Sequence, residues 1–448
     1  MDSTAERGSR TSRRSLYFLA LIIGAYLALG SAYALNTPLW QAPDEPAHFN
    51  YVQDLALGRG IPVLQMGDYD FEYMERIKAA RFPPEMPIDP IRYESHQPPL
   101  YYSLEALVYQ GVGDRPIAQK VFSLRFFSLL LGALFLATVY RASRQVFPEQ
   151  PTLALSVTAL VAFIPQHLHI SGSIENDVLG ELLLSGVLLL LLLRMAPSRR
   201  ASLWRVSIPL GVLVGLSLLA KNTSYIAVPL VPLGLALGDI LRGRLEWLRL
   251  IYTTAVTYVL ALVISGWWFV RNAATYGGLD LFGLARHDQV VVGQPRVGAF
   301  DWEAAGRFFT VAFQSFWAQF GWMGVPSDSR TYAFAGFLSI LAIAGLAAFV
   351  VRQVRRPSLT AYQAASLALL AAAFLLVFLG VITYNLQFIQ PQGRYFFPAL
   401  LPIGLFALLG LRQFMGRHPS VPMALLSIFL FVLAVYNLWR VVIPGFRY

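Results

Sequence analysis

Cysteine is absent from the 448-residue chain, and charged residues make up only 13% of it. Without cysteine, no disulfide can hold the loops together and no thiolate can act as a nucleophile. Soluble domains typically contain about 25% charged residues, so the chain is unusually poor in charge. Glycine-rich loops of the GxxxxGK[ST] and GxGxxG types are also missing, so direct use of ATP or a dinucleotide is not indicated.

Long apolar runs take the place of the missing charge, and hydrophobic residues form 56% of the sequence. Runs of about 17 to 25 apolar residues are typical of bilayer-spanning helices, and they recur along the whole chain. The short alternating segments of an outer-membrane β-barrel are absent. The sequence therefore predicts an all-α polytopic membrane protein with about 11 transmembrane helices. They lie near 16–35, 118–140, 151–167, 177–194, 206–220, 224–240, 250–270, 331–351, 361–384, 395–412 and 421–441.

The basic residues indicate the orientation in the cell membrane. Arginines collect in the short loops on one side, and the positive-inside rule places that side in the cytoplasm. This explains the net charge of +10 without any nucleic-acid partner. Residues 1–15 are then predicted to be a disordered cytoplasmic tail, followed by a single membrane domain over 16–448. The long loops 36–117 and 271–330 face outward, together with short loops near 168–176 and 385–394.

The first outer loop opens with an acidic pair, Asp44 and Glu45, followed by Pro46. Proline fits the first turn of a helix, so a helix is predicted over 46–57, with a second near 99–111. Apolar residues share one face of the first helix, as a helix on a membrane surface requires. Asp44 is then either a helix cap or a functional carboxylate.

Two further outer positions carry the same ambiguity. Asp177 begins a span and is either a cap or a functional carboxylate at the membrane surface. Arg394 begins a later span and is either a snorkelling side chain or a cation for a lipid-borne phosphate. Lys221 and Arg271, at other outer span ends, are candidates for the same phosphate-binding role.

A divalent metal such as Mg²⁺ or Mn²⁺ is an open alternative. The candidate ligands are Asp44, His167, His169 and Asp177, with His48 close by in the sequence. No pair of histidines has the i, i+4 spacing of a helical zinc motif, so an oxygen-ligated ion is favoured.

Three strings of residues resemble a known family: Pro43–Phe49 (PDEPAHF), Gln97–Tyr102 (QPPLYY) and Gly393–Pro398 (GRYFFP). They are similar to a large bacterial and archaeal family of predicted membrane proteins whose activity is mostly unassigned. The topology and the acidic and basic outer positions also resemble the GT-C superfamily. Its members are integral-membrane glycosyltransferases that use polyprenyl-phosphate sugars.

The resemblance implies a function and a set of roles. The expected reaction moves a sugar from a polyprenyl-phosphate donor to a hydroxyl of a glycan, lipid or protein on the extracytoplasmic face. Asp44 would be the catalytic base, with Glu45 beside it and Asp177 as the second acidic site. The substrate-binding candidates are His48, His96, Gln97, Lys221, Arg271, Arg394 and Tyr395. A non-catalytic transporter or assembly partner for lipid-linked glycans, and a glycan ligase or polymerase, remain rival functions.

Overall fold

The computed structural model describes residues 2–196, 203–296 and 302–447. Helices dominate these ranges, and two short strands, β1 (Gln319–Phe320) and β2 (Val325–Pro326), pair antiparallel in a hairpin. In chain order the α-helices are α1 (Asp2–Asn36), α2 (Glu45–Ala56), α3 (Phe71–Ala79), α4 (Leu100–Val112), α5 (Ile117–Val146), α6 (Pro151–Ala162), α7 (Pro165–Ser171), α8 (Asp177–Met195), α9 (Leu203–Ala220), α10 (Ala227–Ile240), α11 (Trp247–Tyr276), α12 (Leu284–Val290), α13 (Trp302–Trp317), α14 (Ser329–Arg355), α15 (Ala361–Asn385), α16 (Leu400–Leu411), α17 (Ser420–Asn437) and α18 (Ile443–Phe446). Short 3₁₀ turns cover Tyr93–His96, Asn222–Ile226, Gly393–Ala399 and Arg412–Phe414, and a π-helical turn covers Leu438–Val442.

The spans predicted from hydropathy are present as helices. In the described ranges, nine helical segments are long and apolar enough to cross a membrane, and the bent pair α6–α7 makes a tenth. The shorter apolar helix Trp204–Ala220 corresponds to the remaining predicted span. Between α6 and α7 the chain bends by 66°, where Pro165 interrupts the helical hydrogen bonding. The all-α polytopic architecture is thereby confirmed.

The amino-terminal segment differs from the prediction. Helix α1 begins at Asp2, so the segment expected to be a disordered tail continues the helix of the first span. Only Arg13–Asn36 is apolar enough to cross a membrane. Extending an existing helix adds one hydrogen bond for each residue fixed, which is far easier than starting a new one.

Both helices expected in the first outer loop are present, as α2 and α4. However, α2 does not lie on a surface with its polar side toward solvent. Its apolar Phe49 and Val52 are buried, and so are its polar His48, Asn50 and Asp54. The polar face therefore packs against other charged and polar groups of the protein. The amphipathic pattern alone cannot tell whether a polar face contacts such groups or solvent.

Segments from the long loops join into one layer. Tyr276 Oη accepts a hydrogen bond from the backbone N–H of Leu64 at 3.2 Å, and Arg286 Nε donates to the carbonyl of the same residue at 3.1 Å. Farther along, Arg296 and Phe388 form an isolated antiparallel bridge. The loops before α5, after α11 and after α15 therefore lie on the same side of the helical bundle, as the topology predicted.

Candidate active site

Asp44 occupies the N-cap position of α2 but does not cap it. Its φ is 63°, a left-handed conformation that is uncommon outside glycine, and its side chain makes no hydrogen bond to the first turn. One carboxylate oxygen instead accepts a hydrogen bond from Tyr93 Oη at 2.5 Å, and the other is ion-paired with Arg394. Capping therefore does not account for the side chain of Asp44.

Arg394 reaches the site from the 3₁₀ turn Gly393–Ala399, and the glycine before it makes this position possible. A Cβ on Gly393 would lie 2.2 Å from the carbonyl oxygen of Ala312 in α13, so no other residue fits without a shift of the backbone. The Gly393 N–H donates to Ser315 Oγ at 2.8 Å and fixes the turn. The close approach of the turn to α13 thus sets the position of Arg394.

The guanidinium of Arg394 connects two carboxylates and an amide. It donates to Glu175 at 2.9 Å, to Gln392 at 2.7 Å and to Asp44, which lies 350 positions away in the sequence. The residue is only 4% exposed, so it is not a snorkelling side chain at a lipid surface. These bonds use three of the five N–H groups of the guanidinium.

Glu175 is the centre of this ion-paired cluster, and sequence reasoning did not select it. Its carboxylate lies 3.2 Å from His48 Nε2, 3.2 Å from Lys221 Nζ and 2.9 Å from Arg394. Burial by itself raises the pKa of this carboxyl group, but the three cationic neighbours outweigh burial and hold the pKa well below its usual range. Glu175 is therefore a fixed anion.

Asp177 belongs to the same cluster. Lys221 Nζ lies 2.5 Å from Asp177 Oδ1. Burial lowers the pKa of the lysine, but the carboxylates of Asp177 and Glu175 outweigh burial and raise it. Glu175 raises the pKa of His48 in the same way, against the effect of burial. Three carboxylates thus face a lysine, an arginine and a histidine, and the charges of the cluster balance when His48 is protonated. Its members are Asp44, Glu175, Asp177, His48, Lys221 and Arg394.

A cavity of about 200 Å³ opens beside Asp44. Asp44, Glu94 and Tyr395 line it, whereas Arg394 lies behind the wall. Aromatic rings and amides supply much of the remaining surface. These are Tyr69, Tyr93, Trp322, Tyr384, Gln294, Gln390 and Gln392. Such a lining presents flat apolar faces together with hydrogen-bonding groups.

Glu94 is a second carboxylate of this cavity, and sequence reasoning also missed it. It lies in the 3₁₀ turn Tyr93–His96 and forms no ion pair with any described residue. Burial raises its pKa, and the nearby carboxylates Asp44 and Glu175 raise it further, against the opposing effect of His48. A carboxyl group with a raised pKa can accept and release a proton more readily near neutral pH.

Glu45, the other half of the acidic pair, is not part of the lining of this cavity. It is fully buried, and both of its oxygens accept hydrogen bonds from Arg125, at 2.8 and 2.6 Å. Trp40 donates its backbone N–H to the same carboxylate at 3.0 Å. These contacts give Glu45 a bracing position between α2 and α5, and its catalytic role beside Asp44 stays a prediction.

Three predicted substrate-binding residues lie outside both the ion-paired cluster and the lining of the cavity. His96 stacks near His287, with ring centroids 4.5 Å apart, and only His287 lines the cavity. Gln97 is buried behind the same turn. Arg271 donates to the carbonyl of Pro62 at 2.7 Å and connects the two long loops.

The four predicted metal ligands are not brought together. His167 pairs with Glu181 at 3.0 Å, and His169 Nε2 accepts a backbone N–H from the β1–β2 turn at 3.3 Å. Asp44 and Asp177 already face cationic side chains. Within the described ranges, no group of three or more histidine or acidic side chains is arranged to hold a metal ion. The structure thus departs from the predicted ligand set.

Two solved transferases share this fold. The ArnT of Cupriavidus metallidurans bound to undecaprenyl phosphate matches with a TM-score of 0.54 and 15% identity, covering 96% of this chain and 73% of that one. The archaeal oligosaccharyltransferase AglB of Archaeoglobus fulgidus, in complex with an inhibitory peptide and a dolichol-phosphate, matches with a TM-score of 0.55 and 13% identity. That match covers 97% of this chain and 56% of the other, so the chain spans little more than half of AglB.

These similarities establish the GT-C fold. They do not transfer an activity, because the sequence identities are too low. No curated protein sequence matches the chain. The family model described as "Predicted membrane protein (DUF2142)" matches residues 89–403, which is more than half of the chain and includes Glu94, Glu175 and Arg394. The chain therefore belongs to the DUF2142 family of predicted membrane proteins.

Proposed function

We propose that this protein is a glycosyltransferase that moves a sugar from a polyprenyl-phosphate donor to an acceptor hydroxyl on the extracytoplasmic face. The observation that carries the proposal is the position of Asp44, a strained carboxylate that leaves its helix uncapped and faces an aromatic cavity. Backbone strain of this kind is concentrated at functional sites. The GT-C fold supports the same function, because the matched ArnT structure holds undecaprenyl phosphate.

In the proposed reaction, the oxygen of the acceptor hydroxyl attacks the anomeric carbon, and Asp44 accepts the proton of that hydroxyl. The bond from that carbon to the phosphate oxygen breaks, and its electron pair stays on the lipid phosphate. A single displacement inverts the configuration at the anomeric carbon. The aromatic cavity holds the sugar, and the layer of outer loops limits the access of water.

Arg394 stabilises the charge that develops on the departing phosphate. Asp44, Glu175 and Gln392 engage three of its N–H groups, which leaves two as donors for a phosphate oxygen that enters beside Asp44 and Gln392. A guanidinium fixed in this way needs little reorganisation during the reaction. Lys221 holds Glu175 and Asp177 in place and adds positive charge to the same region.

A metal ion does not fit this arrangement. One structure of the A. fulgidus oligosaccharyltransferase contains Zn and sulfate, with a TM-score of 0.50 to this chain. Here Arg394 and Lys221 neutralise the carboxylates that would otherwise be candidate ligands. The proposed reaction therefore relies on side-chain cations.

Binding of undecaprenyl phosphate tests the donor site. Arg394→Lys should bind this lipid roughly 10- to 150-fold more weakly, because losing a charge-assisted contact costs about 1.5–3 kcal/mol. Lysine keeps the charge beside Asp44 and Glu175 but cannot form the bidentate fork. Native mass spectrometry of the purified protein measures the affinity.

Arg307→Lys is the matched control, because Arg307 is exposed in α13 and should not contact the lipid. Equal affinities of Arg394→Lys and wild type would place the phosphate elsewhere. If the wild-type protein fails to bind undecaprenyl phosphate, the proposed donor class is wrong.

The orientation has its own test, which the absence of cysteine makes simple. Cysteines introduced at Arg59 and Arg307, both exposed in the outer layer, should react with a membrane-impermeant maleimide in intact cells. A cysteine at Arg356, exposed at the opposite ends of the spans, should react only after lysis. The reverse pattern would put the cavity in the cytoplasm and contradict a lipid-linked donor on the outer face.

A further inference from the structure

A second cavity adjoins the first and shares a wall with it. It measures about 300 Å³ and is lined by Gln41, Glu75 and Phe446 among other residues. Lys78 and Trp322 line both cavities, so these two side chains form the partition between them. The two cavities are therefore adjacent, and Trp322 lies between them.

The indole of Trp322 is held firmly in this partition. It lies at the turn of the β1–β2 hairpin, and its Nε1 donates to the carbonyl of Trp40 at 2.9 Å. Its ring stacks on Phe82 with centroids 5.9 Å apart and an interplanar angle of 22°, and Lys78 Nζ lies 5.5 Å from its centroid. A ring fixed on so many sides is a preformed platform.

The hairpin that carries Trp322 is itself anchored to the broken span. Gln166 in α7 accepts the backbone N–H of Gln319 at 2.8 Å, and His169 accepts that of Gly321 at 3.3 Å. Phe446 covers the other side of Gly321, 3.2 Å from where a Cβ would lie. These contacts explain the positions of two buried polar side chains that the proposed reaction does not use.

Backbone strain is concentrated around the same partition. In the described ranges, five residues other than glycine have positive φ; three of them line one of the two cavities, and the other two contact Trp322 through a hydrogen bond or ring stacking. Such conformations persist only where the surrounding structure enforces them. These residues are Trp40, Asp44, Arg81, Phe82 and Met323.

We propose that Trp322 is the platform for a sugar ring of the acceptor, so that the acceptor is a carbohydrate at least two rings long. The reactive ring stacks on the indole with a hydroxyl at Asp44, and the next ring occupies the second cavity. An apolar face bordered by carboxylates, amides and a lysine suits a sugar, which has C–H faces and hydroxyl edges. A fatty chain would bring hydrocarbon against the polar atoms of Gln41 and of the Glu75–Lys78 ion pair. This inference rests on the proposed function and adds the class of acceptor to it.

The probe is an array of microbial surface oligosaccharides, and the protein is labelled, held in nanodiscs and supplied with undecaprenyl phosphate. Wild type should bind a subset of the glycans, Trp322→Ala should lose at least tenfold in affinity, and Trp322→Tyr should retain part of it. Trp247→Ala is the matched control, because Trp247 is exposed at the far end of α11 and should bind as the wild type does.

A second variant tests the extended path. Gly324 lines only the second cavity, and a Cβ there meets no atom within 4 Å. Gly324→Phe should therefore fill that cavity, abolishing the binding of glycans of two or more rings while a single sugar still binds.

The outcomes separate the two proposals. Undecaprenyl phosphate should bind equally to Trp322→Ala and to wild type, which also shows that the variant is folded. If the wild-type protein does not bind undecaprenyl phosphate, the proposed function is wrong. If the lipid binds but no glycan does, or if glycans bind Trp322→Ala as well as wild type, the acceptor site is wrong. Trp322-dependent capture of peptides in place of glycans would also overturn the carbohydrate class.

Discussion

Replacing Asp44 with asparagine should reduce sugar transfer by roughly 10²- to 10⁴-fold, the usual contribution of a general base. Asparagine is almost the same size, and it tolerates the left-handed backbone conformation that residue 44 adopts. Its amide oxygen can still accept a hydrogen bond from Tyr93 or Arg394. The amide cannot take up a proton, so transfer should fail while folding and the binding of undecaprenyl phosphate persist.

The measurement is the release of undecaprenyl phosphate from sugar-loaded donors, followed with thermal unfolding of the same preparations. Asp44→Ala is the informative comparison, because it removes both the proton acceptor and one of the three partners of Arg394. Full transfer by Asp44→Asn would move the base to Glu94, the other carboxylate of the cavity.

In that case the pH dependence identifies the base. Burial and the neighbouring carboxylates raise the pKa of Glu94, so transfer would fall as the pH drops through that raised value. The acid limb would then disappear in Glu94→Gln. If Asp44 is the base, Glu94→Gln should retain much more activity than Asp44→Asn.

The architecture was predictable because the signals for membrane spans are long and additive. Eleven apolar runs located the helices, with boundaries within about six residues except at the start of α1, since a bilayer of fixed thickness selects their length. The arginine count then placed the outer loops together without any tertiary information. Asp44, Asp177 and Arg394 emerged as candidates because each lies next to the outer end of a span.

Glu175 and Glu94 were not predicted, although both lie in predicted outer loops, 168–176 and 36–117. Each is one acidic residue among several, and only its partners distinguish it. Glu175 is set apart by three cations, one of which, Arg394, is 219 residues away in the chain. Glu94 is distinguished by facing the cavity without such partners. Local sequence patterns contain no information about contacts at this separation.

The same limit explains Glu45. In the sequence it is the neighbour of Asp44 and shares its functional interpretation. In the structure, adjacent side chains at the start of a helix point in different directions, and Arg125 lies on the side of Glu45. Which of the two carboxylates faces the cavity depends on Arg125 of α5, which is 80 positions from Glu45 in the sequence.

Arg125→Met should destabilise the protein more than any surface change in this layer, by about 3–5 kcal/mol, because it leaves a buried carboxylate unpaired. Arg125 and Glu45 are 3% and 0% exposed, and their closest contact is 2.6 Å. Arg125 also donates to the carbonyl oxygens of Ala34 and Thr37, both at 2.7 Å, and to that of Pro38 at 3.0 Å. It thus ties the end of α1 and the following loop to the start of α2.

Glu45→Gln should cost less, because the amide oxygen can still accept one bond from Arg125 and none of the carbonyl contacts of the arginine is lost. Arg59→Ala is the matched control. Arg59 pairs with Asp54 in the same loop but is 55% exposed, and exposed pairs contribute about 0–1 kcal/mol. Unfolding in SDS, monitored by circular dichroism, ranks the three variants. A Glu45→Gln protein of wild-type stability that has lost transfer would instead restore Glu45 to a catalytic role, because bracing affects stability first and chemistry only through the position of Asp44.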